Sequence, residues 1–359
     1  MRHRSEAVPN IARLALALTL GAALCLPGGC QQAGRTVHGA GATFPAPLYA
    51  WWATAYRPVS GVTVDYEAIG SGGGIARIRA NTADFGASEM PLSPAQLSQD
   101  GLYQFPTVVG GVTPIVNLPG ILPGQLKLTG PLLGDIFLGA VTRWSDPRIS
   151  ALNPGLKLPA DPIVVVRRAD SSGSTFLFTS YLSLVSPEWR ARVGAGDAVA
   201  WPTGMAANGA RELATVVRQH IGAIGYVEFG AFSRNFASVQ LQDRDGLFIA
   251  PAPDTFAAAA AGADWAGSQG NDVLMLNAPG PRSWPITGAS FVLIHKRPPS
   301  PAQTRLTLAF FDWAYRTGDA AAARMGYAPL APAVKDLVRR QWTKNVTDAG
   351  GRPIYTPRS

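Results

Sequence analysis

The chain has 359 residues, with 47% apolar types, 15% charged types and a formal net charge of +8. That composition excludes a disordered chain, and Gly 39 and Pro 30 without a G-X-Y period exclude collagen and argue for many loops rather than a helical bundle. Cys25 and Cys30 both lie in the first 30 residues and there are four histidines, which excludes a disulfide framework in the body, a CxxC redox pair and a zinc cluster.

Residues 1–30 read as an export signal. Arg2, Arg4 and Arg13 make a basic start, and residues 14–26 form a mostly apolar run of 13 residues. A membrane span needs roughly 20 residues, whereas a signal h-region takes about 7–15. Pro27, Gly28 and Gly29 then break the helix before Cys30. This end is similar to the lipobox of bacterial lipoproteins, in which the cysteine is lipidated and becomes the new N-terminus. Pro27, however, stands where that pattern places an aliphatic residue. The alternative is a soluble protein cleaved near Ala33. Both readings put the mature protein outside the cytoplasm, in the periplasm, either free or anchored through lipidated Cys30.

The body alternates helical and β-rich runs, with no internal repeat. Residues 46–56 and 75–80 read as helices around a strand at 62–66 (VTVDY). A strand at 112–116 (VTPIV) is followed by a Pro/Gly-punctuated connection over 117–131. Residues 163–167 (IVVVR) read as a strand and 176–184 as a helix. The Ala-rich run 257–263 reads as helix surface against core, 290–295 (SFVLIH) as a strand and 302–317 as a helix. Such alternation argues for α/β architecture. Trp51, Trp52, Tyr56, Phe310, Phe311, Trp313 and Tyr315 recur at helical spacing and read as core. No Lys/Arg run is interleaved with aromatics, so nucleic-acid binding is not expected; a mildly basic body suits an anionic small ligand.

Three Gly/Ser/Thr segments carry the chemistry: GAGATFPAP (39–47), IGSGGGIARI (69–78) and VVRRADSSGSTF (165–176). Each leads into a helix, whose first N–H groups lack internal partners and lie at the positive end of the dipole. Small residues let an oxyanion approach that backbone, and hydroxyls add donors. Simple N-capping is the bland alternative for any one segment. No GxxxxGK[ST] loop is present, so nucleotide hydrolysis has no support. In the second segment Gly70–Gly74 reads as a turn that opens a helix at Ile75. Arg168, which follows the strand 163–167 directly before the Ser/Gly cluster of the third segment, offers a planar fork for an oxyanion. Glu89, in DFGASEMP, can accept a proton from an anion that still carries one. Such a site takes hydrogen phosphate and rejects sulfate, which has no proton to give.

With these segments the body resembles the periplasmic phosphate-binding proteins of phosphate-specific ABC transporters. The likeness runs from Gly39 to Tyr355 through GAGATFPAP, ANTADFGASEMPL, QFPTVVGGV, NPGLKLP, VVRRAD, GAIGYVEF, WPITGASFVLIHK and FFDWAY. It implies a type II periplasmic-binding-protein fold of two α/β lobes that close on the ligand about a hinge. One lobe would comprise residues 37–116 plus 285–345, the other 117–284, with the ligand cleft between them. The ligand-binding residues carried over are Thr43, Phe44 (through its backbone N–H), Ser71, Glu89, Arg168, Ser172, Gly173 and Ser174. The family has an aspartate in GASDAP where this chain has Glu89, and often a threonine in place of Ser174. Asp170 matches the residue that braces the arginine. The function implied is capture of inorganic phosphate and its delivery to a membrane ABC permease with its ATPase, by a monomer that needs no cofactor and is not an enzyme.

Two other functions remain to be weighed. A phosphatase with a seryl nucleophile needs an activating base, and the body's histidines, His38, His220 and His295, fall in no triad motif. His295 reads as a satisfied core or edge residue. A metallophosphatase would need a His/Asp cluster, which the sequence lacks. A receptor for sulfate or molybdate would find Glu89 repulsive. A phosphate-binding relative serving secretion or adhesion stays open.

Overall fold

The computed structural model describes residues 35–230 and 236–357; the leader expected at residues 1–30, with Cys30, lies outside the described residues. The first part runs β1 (Arg35–Gly41), α1 (Ala46–Ser60), β2 (Val62–Ala68), α2 (Ser71–Arg79), β3 (Phe85–Ser88), α3 (Pro94–Gln99) and β4 (Leu102–Asn117). Next come β5 (Lys127–Leu128), α4 (Gly130–Phe137), α5 (Pro147–Leu152), β6 (Val164–Arg168), α6 (Gly173–Val185), α7 (Pro187–Arg192), β7 (Met205–Ala207), α8 (Gly209–Gln219) and β8 (Ala223–Glu228). The last part holds β9 (Ala237–Ser238), β10 (Gln240–Gln242), β11 (Phe248–Ile249), α9 (Pro253–Ala261), β12 (Met275–Leu276), β13 (Ile286–His295), α10 (Pro301–Thr317), α11 (Asp319–Arg324) and α12 (Pro332–Asn345).

Proline and small polar residues start many of these helices. Ser93 caps α3 in a reciprocal box with Gln96, and Thr129 caps α4 through the Leu132 amide. Proline sits in the first turn of both, where its missing N–H costs nothing.

The expected strands and helices all appear, most of them longer than predicted, and three of the differences bear on the site and the sheet. The Gly70–Gly74 run is not a turn before the helix; α2 already starts at Ser71. Glycine is a poor helix former, and packing overrides that preference here. A Cβ on Gly74 would lie 2.6 Å from Gly41 Cα and 2.7 Å from the Ala87 carbonyl oxygen, so only glycine lets α2 lie against β1 and β3. α6 likewise begins at Gly173, within the Ser/Gly cluster. The strand expected at 112–116 is the end of β4, a strand of 16 residues. Pro106, which argues against a central strand, is accommodated by a register shift opposite Ser290 and Phe291.

The main sheet has the order β2-β1-β3-β13-β4-β8-β6-β7, with β12 on β13 and β9 on β4. β1 runs parallel to β2 and β3, and β6 parallel to β7 and β8. β4 joins the two parallel groups. Residues 102–111 pair antiparallel with β13, and residues 112–117 pair antiparallel with β8. Fifteen of its residues are buried, which explains the apolar run without alternation. A three-stranded sheet, β11-β10-β5, stands apart.

Aromatics fill the core beside β3 and β4. Phe85 is fully buried, stacked on Tyr66 and edge-on to Tyr49 and Phe311. Of the seven aromatics expected in the core, Trp52, Tyr56, Phe310, Phe311 and Tyr315 are buried and Trp313 packs against it partly exposed. Trp51 is a correction: it faces solvent at 40% exposure, with the Arg324 guanidinium 6.0 Å above its ring. It neighbours Trp52 on α1, and adjacent helical positions point to different faces. The Ala-rich run 257–263 lies in α9 only as far as Ala261, with Ala259 buried. His295, half-buried at the end of the interior strand β13, is satisfied, its Nε2 2.9 Å from the Ile78 carbonyl oxygen.

Phe85→Ala should lower the unfolding free energy by about 3–5 kcal/mol, checked by chemical denaturation followed by tryptophan fluorescence; a loss below about 1 kcal/mol would show that this cluster does not organise the core.

Candidate oxyanion site

Ligands of open α/β sheets gather beyond the C-terminal ends of the strands. In this fold the C-terminal ends of β1, β3, β6 and β8 lead to Thr43, Glu89, Arg168 and Glu228. The helices that follow β1, β2 and β6 point their N-termini into the same region. Thr43 and Phe44 precede α1, Ser71 is the first residue of α2, and Ser172 caps α6. Gly70 enables the entry into α2: its φ of 85° belongs to the left-handed side that glycine tolerates.

Glu89 is 1% exposed and anchored from two elements. Its Oε2 accepts a hydrogen bond from Ser71 Oγ at 3.2 Å, and its Oε1 accepts from Ser290 Oγ on β13 at 3.4 Å. The start of α6 abuts both groups. A Cβ on Gly173 would lie 2.3 Å from Glu89 Oε2 and 2.5 Å from Ser71 Oγ. Ser71, Glu89 and Gly173 are thus brought together, and Gly173 is required by close approach. Burial pushes the Glu89 carboxyl up to about 8 from its ordinary 4.5, the charge of Glu228 adds to that, and Ser71, Arg168 and Ser290 oppose it.

Arg168 is buried, with Asp170 holding it through Nε at 2.7 Å and through Nη2. Gly209 donates its amide to Asp170 Oδ1 at 2.9 Å, so the brace is itself braced. Burial alone would raise the Asp170 carboxyl, but hydrogen bonds and charge from Arg168 hold it below its ordinary value. This clamp fixes the plane of the guanidinium, and planar recognition of an oxyanion needs that.

The remaining expected residues divide. Ser174 donates its hydroxyl to Glu228 Oε1 at 2.7 Å, and Thr43 donates to the same oxygen at 3.1 Å. Ser172 performs the cap that a helix start asks for. Its Oγ accepts from the Thr175 amide at 3.3 Å, and its own amide donates to the Asp197 carbonyl at 2.9 Å. Phe44 puts its ring into the core, in the space that Gly110 leaves, and its carbonyl accepts from Tyr327 Oη at 2.6 Å.

Sequence reasoning missed Glu228. It is 2% exposed, and its Oε2 is buried with no hydrogen-bond partner. The signal was available in GAIGYVEF: a lone carboxylate closing an otherwise apolar strand needs a reason to be there. Among the described residues no group of three or more His, Cys, Asp and Glu is placed to hold a metal ion. The site therefore offers helix N-termini, one clamped guanidinium, hydroxyl donors and two buried carboxylates. That set suits an oxyanion that carries a proton of its own.

Comparison with known proteins gives the same direction. The family described as the PBP superfamily domain matches residues 29–317. The Phosphate-binding protein PstS of Pasteurella multocida is 45% identical over 322 residues, covering 89% of this chain and 94% of that one. The protein of the same name from Haemophilus influenzae is 46% identical over 309 residues, covering 86% and 92%. The crystal structure of the phosphate-binding protein from Stenotrophomonas maltophilia superposes with a TM-score of 0.68 at 21% identity, covering 88% of this chain and 96% of that one. At that identity it speaks to the fold.

Two outcomes follow from the geometry. Gly173→Ala should cost about 1–3 kcal/mol of stability, read as a lower denaturation midpoint, because the added methyl meets Glu89 and Ser71; an unchanged midpoint would mean that α6 does not press on them. Because folding raises the Glu89 carboxyl, its contribution to stability is present below pH 4.5 and lost as pH rises through about 8. In phosphate-free buffer, Glu89→Gln should therefore gain melting temperature relative to wild type between pH 5 and pH 9; a difference independent of pH would show that Glu89 does not titrate in that window.

Proposed function

The chain belongs to the PBP superfamily and, within it, to the PstS phosphate-binding proteins, and from that membership we propose that Thr43, Phe44, Ser71, Glu89, Arg168, Ser172, Gly173 and Ser174 form its site for inorganic phosphate. The protein binds phosphate as the substrate-binding component of phosphate ABC transport. The observation that carries the site assignment is the meeting of the α1, α2 and α6 N-termini with Arg168 around Glu89 and Glu228. Helix N-termini attract the anion, the clamped guanidinium gives it an orientation, and hydroxyls replace its water.

One proton must lie between Glu89 and the ligand. Above about pH 8 Glu89 is ionised, so the anion has to supply that proton. Hydrogen phosphate does so and sulfate cannot. Below that pH the neutral carboxyl can donate to either anion, so the preference narrows.

We further propose the two-lobe division at residues 37–116 plus 285–345 and 117–284. The partner change of β4 between Gly111 and Val112 supports a crossing there. Under that division Thr43, Ser71 and Glu89 belong to one lobe and Arg168, Ser172–Ser174 and Glu228 to the other. The hydrogen bond from Thr43 to Glu228 then spans the cleft. Export to the periplasm, by the leader read in residues 1–30, fits this function, with lipidation of Cys30 as its anchored form. The remaining parts of the proposal are a monomer that carries out no covalent chemistry and a membrane permease with its ATPase as the receiving partner.

Calorimetric titration of the mature protein with phosphate, sulfate and arsenate tests this reading. Phosphate should bind and sulfate should not at pH 9, with the preference narrowing at pH 6, and Glu89→Gln should flatten that dependence. Phosphate binding indifferent to Glu89→Gln would keep the receptor and discard this account of selectivity. Sulfate bound in place of phosphate would overturn the assignment.

A further inference from the structure

Glu228 stands between the two groups of residues assigned to phosphate, and its chemistry conflicts with theirs. A hydroxyl has one proton to donate. The Thr43 and Ser174 hydroxyls both give theirs to Glu228 Oε1, at 3.1 and 2.7 Å. Neither can donate to an anion at the same time. If both turn to the anion, a buried carboxylate loses the hydrogen bonds these hydroxyls gave Oε1, and its Oε2 already has no partner. An ionised carboxylate stripped of donors and held near an anion is strongly disfavoured.

We propose that Glu228 is a specificity-determining residue of this site, and that binding of a phosphate anion is coupled to uptake of one proton by Glu228. Oε2 is the atom that takes the proton. The neutral carboxyl releases the Thr43 and Ser174 hydroxyls to the ligand and removes a negative charge from beside it. With Glu228 ionised, the hydroxyls stay turned toward the protein and the cleft is held by its own internal anion. The inference rests on the phosphate reading above and extends it from one carboxylate to two.

The groups around Glu228 are consistent with this coupling. Glu89, at the end of β3, acts on the same electrostatic field as Glu228. Arg168, ending β6, is held by Asp170 and interacts with Glu228 through its charge. Tyr327, after α11, feels both carboxylates and keeps its proton, because burial raises it far above its ordinary value. Opposite Glu228 on β4 stands Val112, which offers no polar side chain. From α6 comes Ser174, beside the positive helix end. Two carboxylates thus share one guanidinium, itself already paired with Asp170, and a third negative group is best admitted with a proton.

The experiment is calorimetry with inorganic phosphate between pH 7 and pH 9, in buffers of different ionisation enthalpy, on wild type, Glu228→Gln and Glu89→Gln. The slope against buffer enthalpy counts protons taken up on binding. At pH 9, where Glu89 is already ionised, wild type and Glu89→Gln should each take up about one proton more than Glu228→Gln, and wild-type affinity should weaken with rising pH relative to Glu228→Gln by up to about tenfold per pH unit. Equal proton counts in wild type and Glu228→Gln would overturn the inference and leave the phosphate reading intact. Should Glu228→Gln fail to fold, the other two proteins decide: uptake retained in Glu89→Gln supports Glu228, and uptake absent from wild type or lost in Glu89→Gln overturns it. A wild-type protein that binds no phosphate overturns the functional reading and this inference together.

Discussion

Glu89 and Glu228 are carboxylates held out of water among three helix N-termini and one guanidinium. Neither is buried by chance, because an unpaired charge in a protein interior is among the costliest features a fold can carry. The surrounding elements answer that cost with hydroxyls from Ser71, Ser290, Thr43 and Ser174 and with the positive ends of α1, α2 and α6. The same donors are what an oxyanion needs. Under the proposed reading, ligand and protein carboxylates compete for one set of protons, and that competition would set the selectivity of the site.

Holding those groups in register falls to the sheet. β1 and β3 deliver Thr43 and Glu89, while β6 and β8 deliver Arg168 and Glu228. β4 joins the two pairs, since it hydrogen-bonds β13 along residues 102–111 and β8 along 112–117. Its two central glycines serve this role by what they lack. A Cβ on Gly110 would meet the Phe44 ring at 2.4 Å, and one on Gly111 would meet Phe256 at 2.3 Å. Phe44, just before α1, is thereby packed against the strand that joins the halves of the sheet.

Local readings of the sequence transferred well where one element decided the outcome. The helix after GAGATFP, the strand IVVVR, found one residue further on as Val164–Arg168, and the Ser/Gly cluster at a helix start are properties of short segments, set by apolar spacing and capping. They fell short where packing reversed a local preference. The SGGG run became the first turn of α2 because Gly41 and Ala87 leave room for no side chain. Pro106 and the paired glycines hid β4, whose length depends on partners far away in the chain. Trp51 turned outward because its neighbour Trp52 took the core position.

The sequence by itself determined the α/β class, through the alternation of its elements, and the three Gly/Ser/Thr segments at helix starts, which depend on residues within a few positions of one another; the pairing of Arg168 with Asp170 it gave only through the family resemblance. Its many ordered motifs also determined the family. The tertiary structure decided what the hydroxyls do. Thr43 and Ser174 are 185 and 54 positions from Glu228, and nothing in their spacing announces that they share one of its oxygens. It likewise decided that Glu89 lies against Ser71 and Gly173 and holds its proton up to about pH 8. Burial and the charge of a distant neighbour set a carboxyl's proton affinity, and both exist only once the strands have brought their ends together.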